Sequence, residues 1–365
     1  MQRLTHHTTT RTSAFRRRAN TLAGAALALT LAASLSACSA TGSASTAAAD
    51  ADSGKATDIE LVLGWYATPE SGGFYAAEEQ GYFEDANLNV TITPGGPSVS
   101  GTQIVAGGRA QMGISDAVSI ARAQEEGIPI VAIAAMYQTN PVGVMVHADS
   151  DMESFEDMAG HTWVTQTGQV APEYIKSTLG IDFDTQAYQG SIANFIADDS
   201  LVQQGWPTNE VYQASSQGVE TRFFSYAESG YNPYNDVVFA TEDYIAENPE
   251  AIKAFLEASM NGWADYIGDI DAATAANEAL LEANAEQSEE SVWFAWDKQR
   301  EYITAGDGAA QLGAMSDERW STLVDQMLEL DQIAGEIDPA TLFDASFLPE
   351  VAAPSDLPAA PTGSY

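Results

Sequence analysis

Trp65 with Tyr66, Ser115 with Asp116, and Tyr137 with Gln138 each stand where a short apolar run gives way to a loop. Further along, Trp206, Glu210 and Tyr231 repeat the same mixture of flat rings and acids. Such residues suit noncovalent capture of a flat, nitrogen-bearing molecule: the rings stack on its faces and the carboxylates accept its N–H groups. Bond-making chemistry would need other groups. The chain has one cysteine, Cys38, and beyond its first stretch only two histidines, His147 and His161. One lies at the end of a strand and the other opens a strand, so both read as structural. No histidine–cysteine or serine–histidine–acid grouping stands out, and no spacing suits a metal, so neither metal nor cofactor is expected. Gly95-Gly96-Pro97 lacks the Gly-Lys-Ser/Thr that would make it a phosphate loop.

Each candidate also has a plainer reading. Trp65 follows the first strand directly and is assigned to the ligand, whereas Trp206 and Tyr231 stand evenly between ligand and core. Gly95 and Gly96 either make a turn or bring backbone N–H groups close to a ligand. Ser115 is expected to cap a helix in either case. Asp116 and Glu210 are ligand carboxylates or solvated acids in a chain that carries 52 of them. Thr165 and Thr167, in the loop ending at Gln169, and Asn194 complete the set. None of the nine basic residues beyond the leader falls in these loops, which makes an anion the less attractive ligand, although helix N-termini alone bind anions.

These residues need a frame. Ile59–Leu63 reads as a first strand, a helix from Phe74 stops at Gly81, and Leu88–Thr93 alternates as a second strand. A short helix through Ile104 and Val105 leads to a small strand, Gln111–Ile114, and to a helix lasting until Gly127. Ile128–Met136 is nearly all apolar, the pattern of a parallel strand covered on both faces. A second unit of this kind starts near Met152, with a strand at His161–Thr165 and a helix around Tyr174–Leu179. Long helices follow Asn248-Pro249-Glu250 and Ser316-Asp317. Strand–helix alternation means an α/β sheet, in which ligands meet the carboxyl ends of strands and the amino ends of helices.

The ends have a different character. Arg3, Arg11, Arg16, Arg17 and Arg18 form a basic, acid-free leader before an apolar stretch of about 16 residues, Leu22–Ala37. That is shorter than the roughly 20 residues of a membrane span and suits a signal peptide, residues 1–37. It ends in Leu35-Ser36-Ala37-Cys38, which looks like a bacterial lipobox with Cys38 as the lipidation site. The Ser, Ala, Thr and Gly tract that follows reads as a flexible tether over residues 38–57. The proline-rich residues 351–365 read as a loose tail. With nine basic residues against 52 acids beyond the leader, the surface repels nucleic acid.

Five stretches carry a family resemblance: Gly73–Phe83, Pro94-Gly95-Gly96 with Val105–Ile114, Glu126–Ile133, Ser154–Trp163 and Thr241–Glu250. In this order, over about Ile59–Ile267, they resemble the nitrate/sulfonate/taurine and thiamine-precursor group of solute-binding proteins of ABC importers. Gln111 stands where that group commonly has an acid, and His161 where it commonly has a lysine. The resemblance implies an α/β, two-lobed type II periplasmic-binding-protein fold. Residues 58–148 with 241–350 would form lobe 1 and residues 149–240 lobe 2, with the ligand in the cleft and the lobes closing by a hinge. It further implies a monomer anchored on the extracytoplasmic face of the membrane through lipid on Cys38, with a permease and its ATPase as partners. The favoured ligand is a thiamine-precursor pyrimidine, then a flavin-like nutrient; a sulfonate, taurine or nitrate is the alternative. The same group has an enzymatic relative that builds the thiamine pyrimidine with a cysteine-rich iron site and a histidine. Here the one cysteine is assigned to the anchor, so a non-catalytic receptor is expected.

Overall fold

Short strands alternating with helices build two units of the same design. The computed structural model describes residues 55–335 and 337–364; the leader, Cys38 and most of the tether lie outside the described residues. The first unit runs β1 (Thr57–Val62), α1 (Gly72–Glu79), α2 (Tyr82–Asp85), β2 (Leu88–Thr93), α3 (Gly101–Ala106), β3 (Met112–Ser115), α4 (Ala117–Glu125) and β4 (Ile130–Tyr137). The second runs β5 (Gly143–His147), β6 (Thr162–Thr165), α5 (Ala171–Leu179), β7 (Asp184–Ala187), α6 (Ala193–Ala197), β8 (Leu201–Gly205), α7 (Glu210–Ser216) and β9 (Thr221–Ser225). The chain then returns through β10 (Asn235–Thr241) to α8 (Glu242–Glu247), α9 (Pro249–Gly268), α10 (Ile270–Ala283), α11 (Glu289–Ile303) and α12 (Asp317–Glu329).

The two sheets have orders β2-β1-β3-β10-β4 and β7-β6-β8-β5-β9. In each, parallel strands are joined by one strand running the other way: β10 against β3 and β4, and β5 against β8 and β9. This pairing moves the expected lobe boundaries. β5 lies in the second sheet, so that lobe begins by Gly143 rather than at 149; β10 lies in the first, so that lobe resumes by Asn235 rather than at 241. A strand buried in either sheet carries the same kind of apolar run, which says nothing about which sheet it joins. The crossings are residues 138–142 and 226–234.

β4 is buried at every residue, as its apolar run requires, but its direct neighbour β10 is antiparallel. Its other edge is closed by the chain's end: Ala132 N–H donates to Leu342 O (2.9 Å), and Asp344 N–H donates to Ala132 O (2.8 Å). The expected loose tail is in fact packed. Leu312 N–H donates to Val351 O (2.8 Å), Arg300 Nη1 donates to Pro358 O (2.6 Å), and Val351, Ala353 and Ala360 lie on the main core. Proline-rich backbone has few donors, but its carbonyls still accept, and here buried donors use them.

One face of the first sheet is covered by α1 and α9–α11, where Phe74, Phe255, Trp263, Tyr266 and Trp296 are fully buried. Burying each such ring contributes on the order of 1.5–3 kcal/mol. The helices meet almost backbone to backbone: a Cβ on Gly73 would lie 2.0 Å from the Trp263 ring, and one on Gly262 would lie 2.4 Å from Gly73 O. This contact fixes the start of α1, and with it the 3-10 turn Pro69–Ser71 that leads into the cleft.

Candidate functional site

The loop after β1 carries Trp65 and Tyr66 and then turns through Pro69–Ser71, so that Glu70 lines the same small cavity as the rings. This cavity is lined by Trp65, Tyr66, Glu70, Phe74, Ile114 and Asp236. The two rings meet edge to face, with centroids 5.3 Å apart, and Tyr66 remains 44% exposed. Asp236, the second residue of the returning strand β10, has φ +47, a left-handed conformation that an aspartate tolerates better than most side chains. Its Oδ2 is shut off from solvent and accepts no hydrogen bond. Sequence reasoning nominated neither Glu70 nor Asp236. The available signals were an acid inside the loop after the aromatic pair, and an Asn-Asp step opening an apolar strand.

The second lobe contributes Trp206 and Glu210. The Trp206 ring stands edge to face with that of Tyr137, centroids 5.7 Å apart, so the end of β8 meets the end of β4 across the cleft. Glu210, at the first turn of α7, is buried and held by Trp206 N–H (2.8 Å), Tyr188 O–H (2.9 Å) and Asn209 Nδ2 (3.2 Å). It is therefore not a solvated surface acid. Farther out on this side, Tyr212 packs on Phe294 with centroids 4.9 Å apart, and its hydroxyl donates to Glu290 (3.4 Å).

Burial raises the proton affinity of all three acids, and the other two raise that of Glu70 further. Burial first, then the charges of Asp236 and Glu210, push the Glu70 carboxyl well above its ordinary range. Burial, then Asp116, pushes Asp236 up to about 8. Burial raises Glu210 as well, against the opposing hydrogen bonds of Trp206, Tyr188 and Asn209. Among the described residues, no Lys, Arg or His forms an ion pair with any of the three.

Other candidates are occupied elsewhere. Gly95 N–H donates to Trp65 O (2.8 Å), and a Cβ at Gly95 would lie 2.2 Å from Leu63 O. Gly96, at φ +146, lies beneath the Tyr66 ring. The pair thus braces the aromatic loop, which is the turn reading. Ser115 is the last residue of β3 and does not cap a helix. The cap is Asp116, whose carboxylate accepts from Ser119 N–H (2.9 Å) and Ser119 O–H (2.7 Å). Tyr137 is fully buried and donates to Gln299 Oε1 (2.7 Å); Gln138 Nε2 donates to Ala135 O and Ala314 O (both 2.8 Å). Thr165 is buried, while Thr167 and Asn194 are exposed, and none of the three lines the cavity. Tyr231 is buried against Tyr174 near the crossing.

No basic residue lies within these loops, but two arginines reach them from helices. Arg122 donates to Gly168 O (2.7 Å), and Arg319 donates to Gln138 O. Both guanidiniums are thereby spent on carbonyls. A wider concavity of about 270 Å³ lies around Arg319, Asn232 and Gln326, on the crossing rather than in the cleft. His147 Nε2 lies 2.8 Å from Phe195 O, and His161 Nδ1 lies 2.9 Å from Ser200 O. Among the described residues, no group of three His, Cys, Asp or Glu is placed to hold a metal. No helix among them is long and apolar enough to cross a membrane.

The sequence pattern of the family described as NMT1/THI5 like matches residues 68–273. The chain belongs to this family. Two relatives show its range. A formylaminopyrimidine-binding protein of Halalkalibacterium halodurans is 26% identical over 257 residues, covering 66% of this chain and 77% of that protein. A 4-amino-5-hydroxymethyl-2-methylpyrimidine phosphate synthase of Candida albicans is 26% identical over 245 residues, covering 57% and 70%. Among solved structures, the periplasmic aliphatic sulphonate-binding protein SsuA of Escherichia coli superposes with a TM-score of 0.59 at 15% identity, over 78% of this chain and 97% of that one. The NMT1/THI5-like chain thus has the α/β fold of periplasmic solute-binding proteins, with its aromatic and acidic residues gathered where the two sheets face each other.

Proposed function

We propose that this protein is the extracytoplasmic substrate-binding component of an ABC importer, and that its ligand is a thiamine-precursor pyrimidine or a similar aromatic heterocycle. The observation that carries this reading is the joint placement of Trp65 and Glu70 on one side of the cleft with Trp206 and Glu210 on the other. Rings offer faces to a flat ligand, and carboxylates accept from amino and ring N–H groups. The formylaminopyrimidine-binding relative supports the ligand class. A sulfonate, taurine or nitrate fits this cleft poorly, because carboxylates repel anions and the nearest guanidiniums are engaged with carbonyls.

Relatives named as pyrimidine phosphate synthases favour a second reading, an enzyme acting on the same class of molecule. Against it, both histidines of the described chain are tied to backbone carbonyls of the second lobe. In the receptor reading, Cys38 carries the lipid, residues 1–37 are removed, the chain acts as a monomer, and the closed form docks on a permease driven by its ATPase.

Calorimetry on the purified protein tests the reading. Saturable one-to-one binding of 4-amino-5-hydroxymethyl-2-methylpyrimidine or formylaminopyrimidine, without turnover, is expected, and taurine and nitrate should give no heat. Conversion of either pyrimidine by the protein alone would establish the enzyme instead. Replacing Cys38 with serine should move the protein from the membrane to the soluble fraction.

A further inference from the structure

We propose that the cleft selects a ligand that binds as a cation, a protonated nitrogen base whose charged edge is received by Glu70 and Asp236. The inference rests on the receptor reading above and names the charge of the ligand, which that reading leaves open. Its first ground is geometric. Three carboxylates from distant segments converge on one small space: Glu70 from the turn after β1, Asp236 from β10 and Glu210 from α7. Only Glu210 is surrounded by donors. Asp236 keeps Oδ2 buried without a hydrogen bond, on a backbone held at positive φ. A buried carboxylate oxygen without a donor costs of the order of 1–3 kcal/mol or more, and such a group needs a reason to persist.

The second ground is what surrounds the pair. The ionisable groups nearest it are Asp116 at the cap of α4, Tyr137 at the end of β4 and Glu210 on α7, with Tyr188 bonded to Glu210. Among the described residues, no Lys, Arg or His is one of them, and no ion pair reaches any of the three acids. Their raised proton affinity agrees with this picture. A neutral ligand would leave the raised carboxyls holding their protons, whereas a cation would favour their ionised form and supply the missing donors. Trp65 at the rim completes the arrangement, because a cationic ring stacks well on an indole face. An amidine-like edge, with an amino group beside a protonated ring nitrogen, offers two parallel donors at the spacing that paired carboxylate oxygens accept.

The probe pair is 4-amino-5-hydroxymethyl-2-methylpyrimidine and its 4-oxo analogue, which has the same shape and is far less basic. Calorimetry at neutral pH would compare wild type with Glu70→Gln and Asp236→Asn, each checked by its melting curve. Wild type is expected to prefer the amino compound by about tenfold or more, and either variant should lose most of that preference. If both variants bind the amino compound as tightly as wild type, or the oxo analogue binds equally well, the inference is overturned while the receptor reading stands. If wild type binds no heterocycle at all, the receptor reading fails first. Should Asp236→Asn melt abnormally, Glu70→Gln, in the turn after β1, still decides the matter.

Discussion

The cleft and the crossing meet at the start of β10, yet they treat their charged groups in opposite ways. In the crossing the buried charge is paired, although the hydroxyls of Tyr226 and Tyr231 have no partner. Arg319 donates to the carbonyls of Gln138, Asn232 and Pro233 and to Asn232 Oδ1, and its guanidinium lies 3.9 Å from the centre of the Tyr234 ring. Asn140 N–H donates to Asn232 Oδ1 (2.8 Å), and Asn140 Nδ2 donates to Pro233 O (3.1 Å), so the two crossing segments are tied to each other as well as to α12. A few residues on, Asp236 has a buried oxygen with no donor and two neighbouring acids. The arginine of the crossing is satisfied within the protein. In the account proposed above, the acids of the cleft are completed by the ligand.

The largest effect is expected from breaking the satisfied region. Arg319→Ala strands the carbonyls of Gln138 and Asn232 and removes the ring contact, and should destabilise the protein by about 3–5 kcal/mol, read as a lowered Tm. Arg319→Lys should recover only part of this, because an ammonium cannot reproduce the planar fork.

The unsatisfied region should behave in the opposite sense. A carboxyl whose proton affinity is raised on folding holds its proton longer than in the unfolded chain. Unliganded stability therefore falls as pH rises from about 4 to about 8. Asp236→Asn should remove that residue's share of the slope. Its Tm advantage over wild type should open across the window, reach several degrees and stay constant above it. A variant less stable than wild type at pH 8 would show that Asp236 is paired after all.

Two smaller effects concern binding. Trp65→Ala should weaken affinity for the aminopyrimidine by about 1–2 kcal/mol, roughly five- to thirtyfold in calorimetry, through loss of a stacking face. Tyr212→Ala removes the ring contact with Phe294 across the outer rim. It should speed ligand release in stopped-flow fluorescence by a few-fold, corresponding to about 0.5–1 kcal/mol.

Much of the fold was legible because its signals are local. Glycine stops, polar caps and apolar runs placed β1, β2, the helix at Ala117 and the long helices near their observed positions. What failed depends on partners distant in sequence. β5 and β10 are apolar runs that could pair in either sheet, and only their neighbours decide. The end of the chain looked loose by composition but closes the edge of β4. At the site, Trp65 was legible as a ring directly after a strand, and Glu210 as an acid near a tryptophan. Asp236 was not, because its role depends on β10 returning beside β3 and on a positive φ that the sequence does not announce. Gly95 and Asp116 drew attention for the right loops, and both serve the loops themselves.

The most direct test of the central claim is mass spectrometry of the small molecules released when the purified protein, isolated from its own cells, is denatured. A stoichiometric aromatic nitrogen base, absent from preparations of the Trp65→Ala variant, is the expected result. A sulfonate, nitrate or other anion in its place would contradict the account of an acidic, aromatic cleft.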